Sequence, residues 1–311
     1  MKNHFLIASL AVFLFVLAPA MVRAQEMAPE KVALYTKYYD LKKGGEEGQK
    51  QAYEVAREFL QKFGSDDDQY VQAVKKFVVA YEKLSREVSF YKAYNAKDYA
   101  KTFEFGRQIL NNEPDNFVVL SNLARAAYFN TLAGNSSLNV EAIPFTKGAI
   151  ELVETNKVTK PDPFLSIDEA RGFLNYAAGF FQIDQAPLEA IKALLKAVQF
   201  ASIKTEPSAY YYLGQAILKG EYDPLEAEYG KFAGKDETPE SKAMFEKLIA
   251  IGNRAVDAYA RAVALSTKTE NAKFKAKVLS ELTDIYKGFH QNSDAGLNDL
   301  IASVLSKPLP Q

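Results

Sequence analysis

From Glu30 onward, apolar residues recur at intervals of three and four almost without interruption, and no segment sustains the strict alternation of a half-buried strand. Even NFVVLSNL (116–123), which begins with alternating character, runs on into LARAAYF, where Leu120, Leu123, Ala124 and Ala127 share one helical face. The chain is therefore expected to be all-α. Helix-breaking clusters punctuate it at KKGGEEG (42–48), KFGSDDD (62–68), NNEPDN (111–116), TKPDP (159–163), QAP (185–187), TEPS (205–208), YDP (222–224) and ETPES (237–241). The Asp, Ser and Thr residues before the helices suit N-caps, and Pro239 suits a first helical turn.

One stretch, SAYYYLGQAILKG (208–220), places a glycine in the middle of an apolar helix. A mid-helix glycine costs about 1 kcal/mol relative to alanine, so its retention implies that another backbone comes close there. Laying the helices over one another shows what that neighbour is. Tyr210, Leu213, Gly214 and Ile217 form the pattern aromatic-x2-Leu-Gly-x2-apolar. The same template is laid on Leu120, Leu123, Ala124 and Ala127, on Phe173, Tyr176, Ala177 and Phe180, and on Leu279, Leu282, Thr283 and Tyr286. Helices that follow three of these carry two alanines seven residues apart around a third residue: Ala142, Thr146 and Ala149; Ala190, Leu194 and Ala197; Ala255, Tyr259 and Ala262. Small side chains on one face let two helices lie close as an antiparallel hairpin.

This set of positions resembles the tetratricopeptide repeat (TPR), and the Pro-Asp-Asn at 114–116 is similar to the loop between such repeats. The resemblance implies an α-α superhelix, a TPR-like solenoid of antiparallel helix pairs with irregular repeats and insertions. The template positions at 120, 173, 210 and 279 are 53, 37 and 69 residues apart, against a family period of about 34. Insertions absorb the excess: the loop NTLAGNSSLN (130–139), the linker around TKPDP, a short extra helix in DPLEAEYGKFAG (223–234) and a long helix from Pro239 to Leu265. The expected organisation is a leader over 1–24, an N-terminal helical cap or divergent repeats over 25–97, TPR-like repeats over 98–305 and a C-terminal tail over 306–311. Within the cap, Ala52, Ala56 and Phe59 make a second-helix pattern.

The leader MKNHFLIASLAVFLFVLAPAMVRA has a basic Lys2, an apolar run from Phe5 to Leu17, a breaker at Pro19 and small or short residues at Val22 and Ala24. That is the form of a secretory signal cleaved after Ala24. An exported protein, periplasmic or secreted, is expected, with no membrane span left after cleavage; the alternative is a chain tethered by an uncleaved signal anchor. Cleavage leaves 36 basic against 39 acidic side chains. With signs so balanced and basic residues interspersed along the helices, nucleic acid is not an expected partner.

Residues able to carry chemistry are few. The absence of cysteine removes disulfides, thiolate metal sites and cysteine nucleophiles. His290 is the single histidine outside the leader and reads as a loop residue at a helix end. SDDDQ (65–69) lacks the alternating ligands and the glycine of a calcium loop and reads as a helix cap. GKFAGKD (230–236) is one residue short of a phosphate loop and has Asp236 where Ser or Thr is needed. No cofactor, metal or catalytic residue is expected.

The expected function is that of a non-enzymatic exported scaffold binding protein or peptide partners through the inner face of the solenoid, which first helices line. The face is read as Tyr211, Gln215 and Lys219 on one helix. Its counterparts are Ser121, Arg125 and Phe129 with Asn122 and Tyr128, and Leu174, Ala178 and Gln182 with Asn175. The alternative is a secreted small-molecule or glycan-binding module that uses the abundant aromatic rings.

Overall fold

A computed structural model describes residues 28–310, so the leader expected over 1–24 lies outside the described residues. All regular structure among them is helical. The chain divides into two compact units between Leu84 and Ser85, inside one long helix. The boundary expected at 97–98 falls in the turn at the end of that helix, where Lys97 takes a positive φ of 60°.

The first unit holds α1 (Pro29–Leu41), α2 (Glu46–Phe63) and the first half of α3 (Gln69–Asn95). Its core is Tyr38, Ala52, Ala56, Phe59, Val71 and Val74. The acidic run at 65–68 works as a cap: the Asp68 carboxylate accepts hydrogen bonds from the backbone N–H groups of Tyr70 at 2.8 Å and Val71 at 3.0 Å. It also pairs with Lys31, a side chain only 7% exposed, whose ammonium is shared with Asp66 at 2.5 Å. Burial alone would push the Asp68 carboxyl up, but Lys31 and the two N–H groups outweigh it and hold the pKa below the ordinary carboxylate value.

The second unit continues from the end of α3 through α4 (Tyr99–Leu110), α5 (Phe117–Leu132), α6 (Asn139–Glu154), α7 (Ile167–Gln182), α8 (Pro187–Ala197) and α9 (Pro207–Ile217). A π-helical turn over Leu218–Tyr222 then leads into α10 (Asp223–Tyr229), followed by α11 (Pro239–Leu265), α12 (Ala272–Phe289) and α13 (Leu297–Ser303). Caps explain many of the starts. Side chains of Asp98, Asn116 and Ser166 accept from the N–H three residues on, and Thr238 and Ser241 form a reciprocal capping box with Pro239 in the first turn. The short extra helix and the long helix from Pro239 to Leu265 are both present. YDP does not break the chain's helical path: Pro224 sits in the first turn of α10, directly after the π-helical turn over Leu218–Tyr222.

Packing follows sequence order. α5 pairs with α6, α7 with α8 and α9 with α11, and each second helix also packs on the next first helix. This is an α-α superhelix. First helices also touch one another, α5 on α7 and α7 on α9, which puts them on the shorter, inner side of the curve.

Gly214 lies where the sequence placed a close approach. A Cβ there would stand 2.4 Å from the Tyr259 ring of α11 and 3.4 Å from the Ala255 carbonyl oxygen. Gly179 of α7 repeats the arrangement one pair earlier, with a Cβ 2.5 Å from Leu194 Cγ and 3.1 Å from the Ala190 carbonyl oxygen. Gly179, not Ala177, is thus the counterpart of Gly214, and the template laid on Phe173, Tyr176, Ala177 and Phe180 moves by two residues. The interval between the two glycines becomes 35 residues.

Candidate functional site

The two-residue shift changes which side chains line the inner layer. The counterparts of Tyr211, Gln215 and Lys219 become Tyr176 and Phe180 on α7 and Asp184 in the turn after it, in place of Leu174, Ala178 and Gln182. An ion pair between Asp184 and Lys219 of the π-helical turn joins corresponding positions just beyond α7 and α9, in agreement with the shifted alignment.

Several residues expected on a wet face are buried. Asn122, Asn175 and Gln182 are each 4% exposed, and each side-chain amide donates to the carbonyl four residues back, of Val118, Arg171 and Ala178 respectively. Each amide is thus buried with a hydrogen bond inside its own helix, so they are core amides and the face does not include them. Tyr211 is also 4% exposed. Its hydroxyl accepts from Lys277 Nζ at 2.6 Å, which ties α9 to α12, and from Gln215 Nε2 at 2.8 Å within α9, so neither Tyr211 nor Gln215 stands free. Lys277 also stands over the Tyr211 ring, 4.6 Å from its centroid.

Arg125, Tyr128 and Phe129 do come together with partial exposure. Tyr128 packs on Phe129 (centroids 5.8 Å apart), edge-on to Phe173 (5.7 Å) and edge-on to Phe180 (5.7 Å). Phe180 packs on Tyr212 at 4.7 Å, and Tyr212 on Tyr211 at 5.4 Å. A continuous row of rings therefore crosses α5, α7 and α9, with Phe129, Tyr128, Phe173, Phe180 and Tyr212 half-buried. Sequence reasoning does not find Phe173, Phe180 and Tyr212 as face residues. For Phe180 the signal is the pair of glycines, which fixes the alignment better than apolar spacing does.

Hydroxyls knit the row together. Tyr128 Oη and Tyr176 Oη are 3.3 Å apart, and Tyr176 Oη reaches Ser208 Oγ at 2.7 Å. Burial pushes the phenol pKa of Tyr128 up, and burial together with neighbouring Tyr128, Tyr211 and Glu206 pushes that of Tyr212 up to about 12. These groups keep their protons throughout the physiological range, so the row offers neutral ring faces and hydroxyls and no phenolate. At one end Arg125 lies against Phe129 and Phe164, with its guanidinium carbon 5.8 and 5.9 Å from the ring centroids, and no carboxylate pairs with it among the described residues. The arrangement suits stacking and hydrogen bonding to an extended ligand.

Among the described residues no group of three or more His, Asp or Glu is placed to hold a metal ion, and no helix is long and apolar enough to cross a membrane. No family model matches the chain, and no curated protein matches its sequence.

Proposed function

We propose that this chain is a non-enzymatic exported scaffold of the tetratricopeptide type, which binds a protein or peptide partner through the inner layer of its helical superhelix. The observation that carries the reading is the row of half-buried rings from Phe129 through Tyr128 and Phe180 to Tyr212, beside an arginine that has no carboxylate partner among the described residues. Rings that share edges across three helices are held rigidly, and rigid amphipathic rings give contact area at small entropic cost. The small-against-large contacts at Gly214 and Gly179 support the repeat type. The leader supports export.

Photo-crosslinking tests the reading. A benzoylphenylalanine at 129 or 212 is expected to trap a discrete product in an envelope fraction, with none formed from exposed Lys147 or Lys192 on the second helices. Arg125→Ala and Phe180→Ala are expected to weaken the product. Identical products from all positions, or none from 129 and 212, would overturn the proposal.

A further inference from the structure

The ring row is flanked by two charges that the fold does not neutralise. Elsewhere around the first helices and α12 the charges are paired: Lys219 with Asp184, Arg171 with Asp168 and Glu154, Lys277 with Glu281. Arg125 and Glu206 have no group of opposite charge within ion-pair distance among the described residues. Arg125 lies within α5 and Glu206 at the N-cap of α9, so they belong to the two first helices that flank α7.

Both charges are held against the row. The Arg125 guanidinium rests on Phe129 and Phe164. The Glu206 carboxylate accepts from the backbone N–H of Ser208 at 3.4 Å and from its hydroxyl at 2.8 Å, both on Oε1, which leaves Oε2. Ser208 Oγ continues to Tyr176 Oη, and Tyr176 Oη to Tyr128 Oη, so a chain of hydroxyls ties the exposed carboxylate to the middle of the row. Burial is the main reason the Tyr128 and Tyr212 phenols titrate high, and the Glu206 charge is close enough to add to the rise in both. The contacts that lead from Arg125 to this chain run through rings: Phe164 packs on Phe173 at 5.6 Å, and Phe173 on Tyr128.

A segment laid over these rings covers both charges, and taking an unpaired charge out of water is costly. An acidic segment would bring like charge to Glu206, and a basic one would bring it to Arg125. An uncharged segment would leave both without a partner. A segment with a carboxylate on one side and a cation on the other satisfies both. We propose that the partner of the ring row is a dipolar peptide segment, with an Asp or Glu side chain against Arg125, an apolar or aromatic residue over Phe173, and a Lys or Arg side chain against Glu206. This assignment rests on the peptide-binding reading and adds to it the partner's charge pattern and its orientation across the helices.

The test is selection of a random twelve-residue peptide library on the full chain, followed by fluorescence polarisation of the enriched peptides. These are expected to carry one acidic and one basic residue on either side of an apolar one. Arg125→Gln and Glu206→Gln are each expected to weaken binding about tenfold. The Glu206→Gln amide keeps an acceptor for Ser208, and helical circular dichroism is expected to be unchanged in both variants. Arg125→Glu is expected to regain binding when the peptide's acidic residue becomes lysine, and Glu206→Lys when its basic residue becomes glutamate. Enriched peptides of one sign or none that still depend on Phe180, or losses that neither swapped peptide rescues, would overturn the dipolar assignment and leave the row a peptide surface. No enrichment over the Phe180→Ala chain would overturn the peptide-binding reading itself. Self-association that depends on Arg125 and Glu206 would seat a second copy of the chain on the row and overturn the assignment.

Discussion

The pairs α7/α8 and α9/α11 make the same contact with different means. In the first, four residues join the helices and Gly179 receives Leu194; in the second, 21 residues intervene, including a π-helical turn and all of α10, and Gly214 receives Tyr259. Both glycines also face a backbone carbonyl of the partner helix, at Ala190 and Ala255. The geometry of a pair is thus set by the side chains at the point of closest approach, and the length of the connection has little say. Loop closure makes this reasonable, since each doubling of a flexible connection costs only about 0.6 kcal/mol.

Removing the large partner should have the greatest effect. Tyr259→Ala is expected to lower unfolding free energy by about 4 kcal/mol and Leu194→Ala by about 3 kcal/mol, measured by urea denaturation. Both side chains are buried and both leave a cavity against glycine, so an effect below about 1 kcal/mol at either site would break the equivalence.

Adding a methyl group to the small partner should have a smaller effect and separate the two pairs. Alanine gains about 1 kcal/mol of helix propensity at either glycine, but at 214 the new carbon meets the side of a rigid ring, whereas at 179 it meets the branch carbon of a leucine, which can turn about χ1, and the Ala190 carbonyl oxygen at 3.1 Å. Gly214→Ala is expected to be destabilising by about 1–2 kcal/mol, and Gly179→Ala to lie within about 1 kcal/mol of neutral. Thermal melts of the two variants side by side would show the order, and a reversed order would mean that ring rigidity is not what distinguishes the sites.

The smallest expected effect concerns alignment. Lys219 and Asp184 are exposed, so Asp184→Lys should cost about 0.5 kcal/mol or less in low salt and nothing measurable in high salt. Restoration of that loss by Lys219→Asp in the same chain would place the two positions side by side in solution; additive losses would contradict the 35-residue alignment.

Much of the architecture was legible in the sequence because its signals are local. Thr238, Pro239 and the apolar period that follows mark α11 from end to end, and the alanines at 255 and 262 mark its buried face. The alignment of α7 was not legible from apolar spacing for a physical reason. Leu174 to Gly179 are buried on all sides, as are Phe181 and Gln182, so the helix has too little polar face to set its phase. The buried amides misled in another way. Asn122, Asn175 and Gln182 read as surface polar residues because hydropathy does not register a carbonyl four residues back that satisfies them. Matching Gly179 to Gly214 puts Phe180 on the face, where it packs between Tyr128 and Tyr212, and Gln182 in the core.

The central claim, that close contact between a small residue and a large one organises the pairs α7/α8 and α9/α11, is most directly tested by a double-mutant cycle at 214 and 259. Unfolding free energies of wild type, Gly214→Ala, Tyr259→Leu and the double variant give the coupling. The account predicts that Gly214→Ala, destabilising when Tyr259 is present, becomes neutral or stabilising beside leucine, with a coupling of about 1–2 kcal/mol. Additivity within about 0.3 kcal/mol would contradict it.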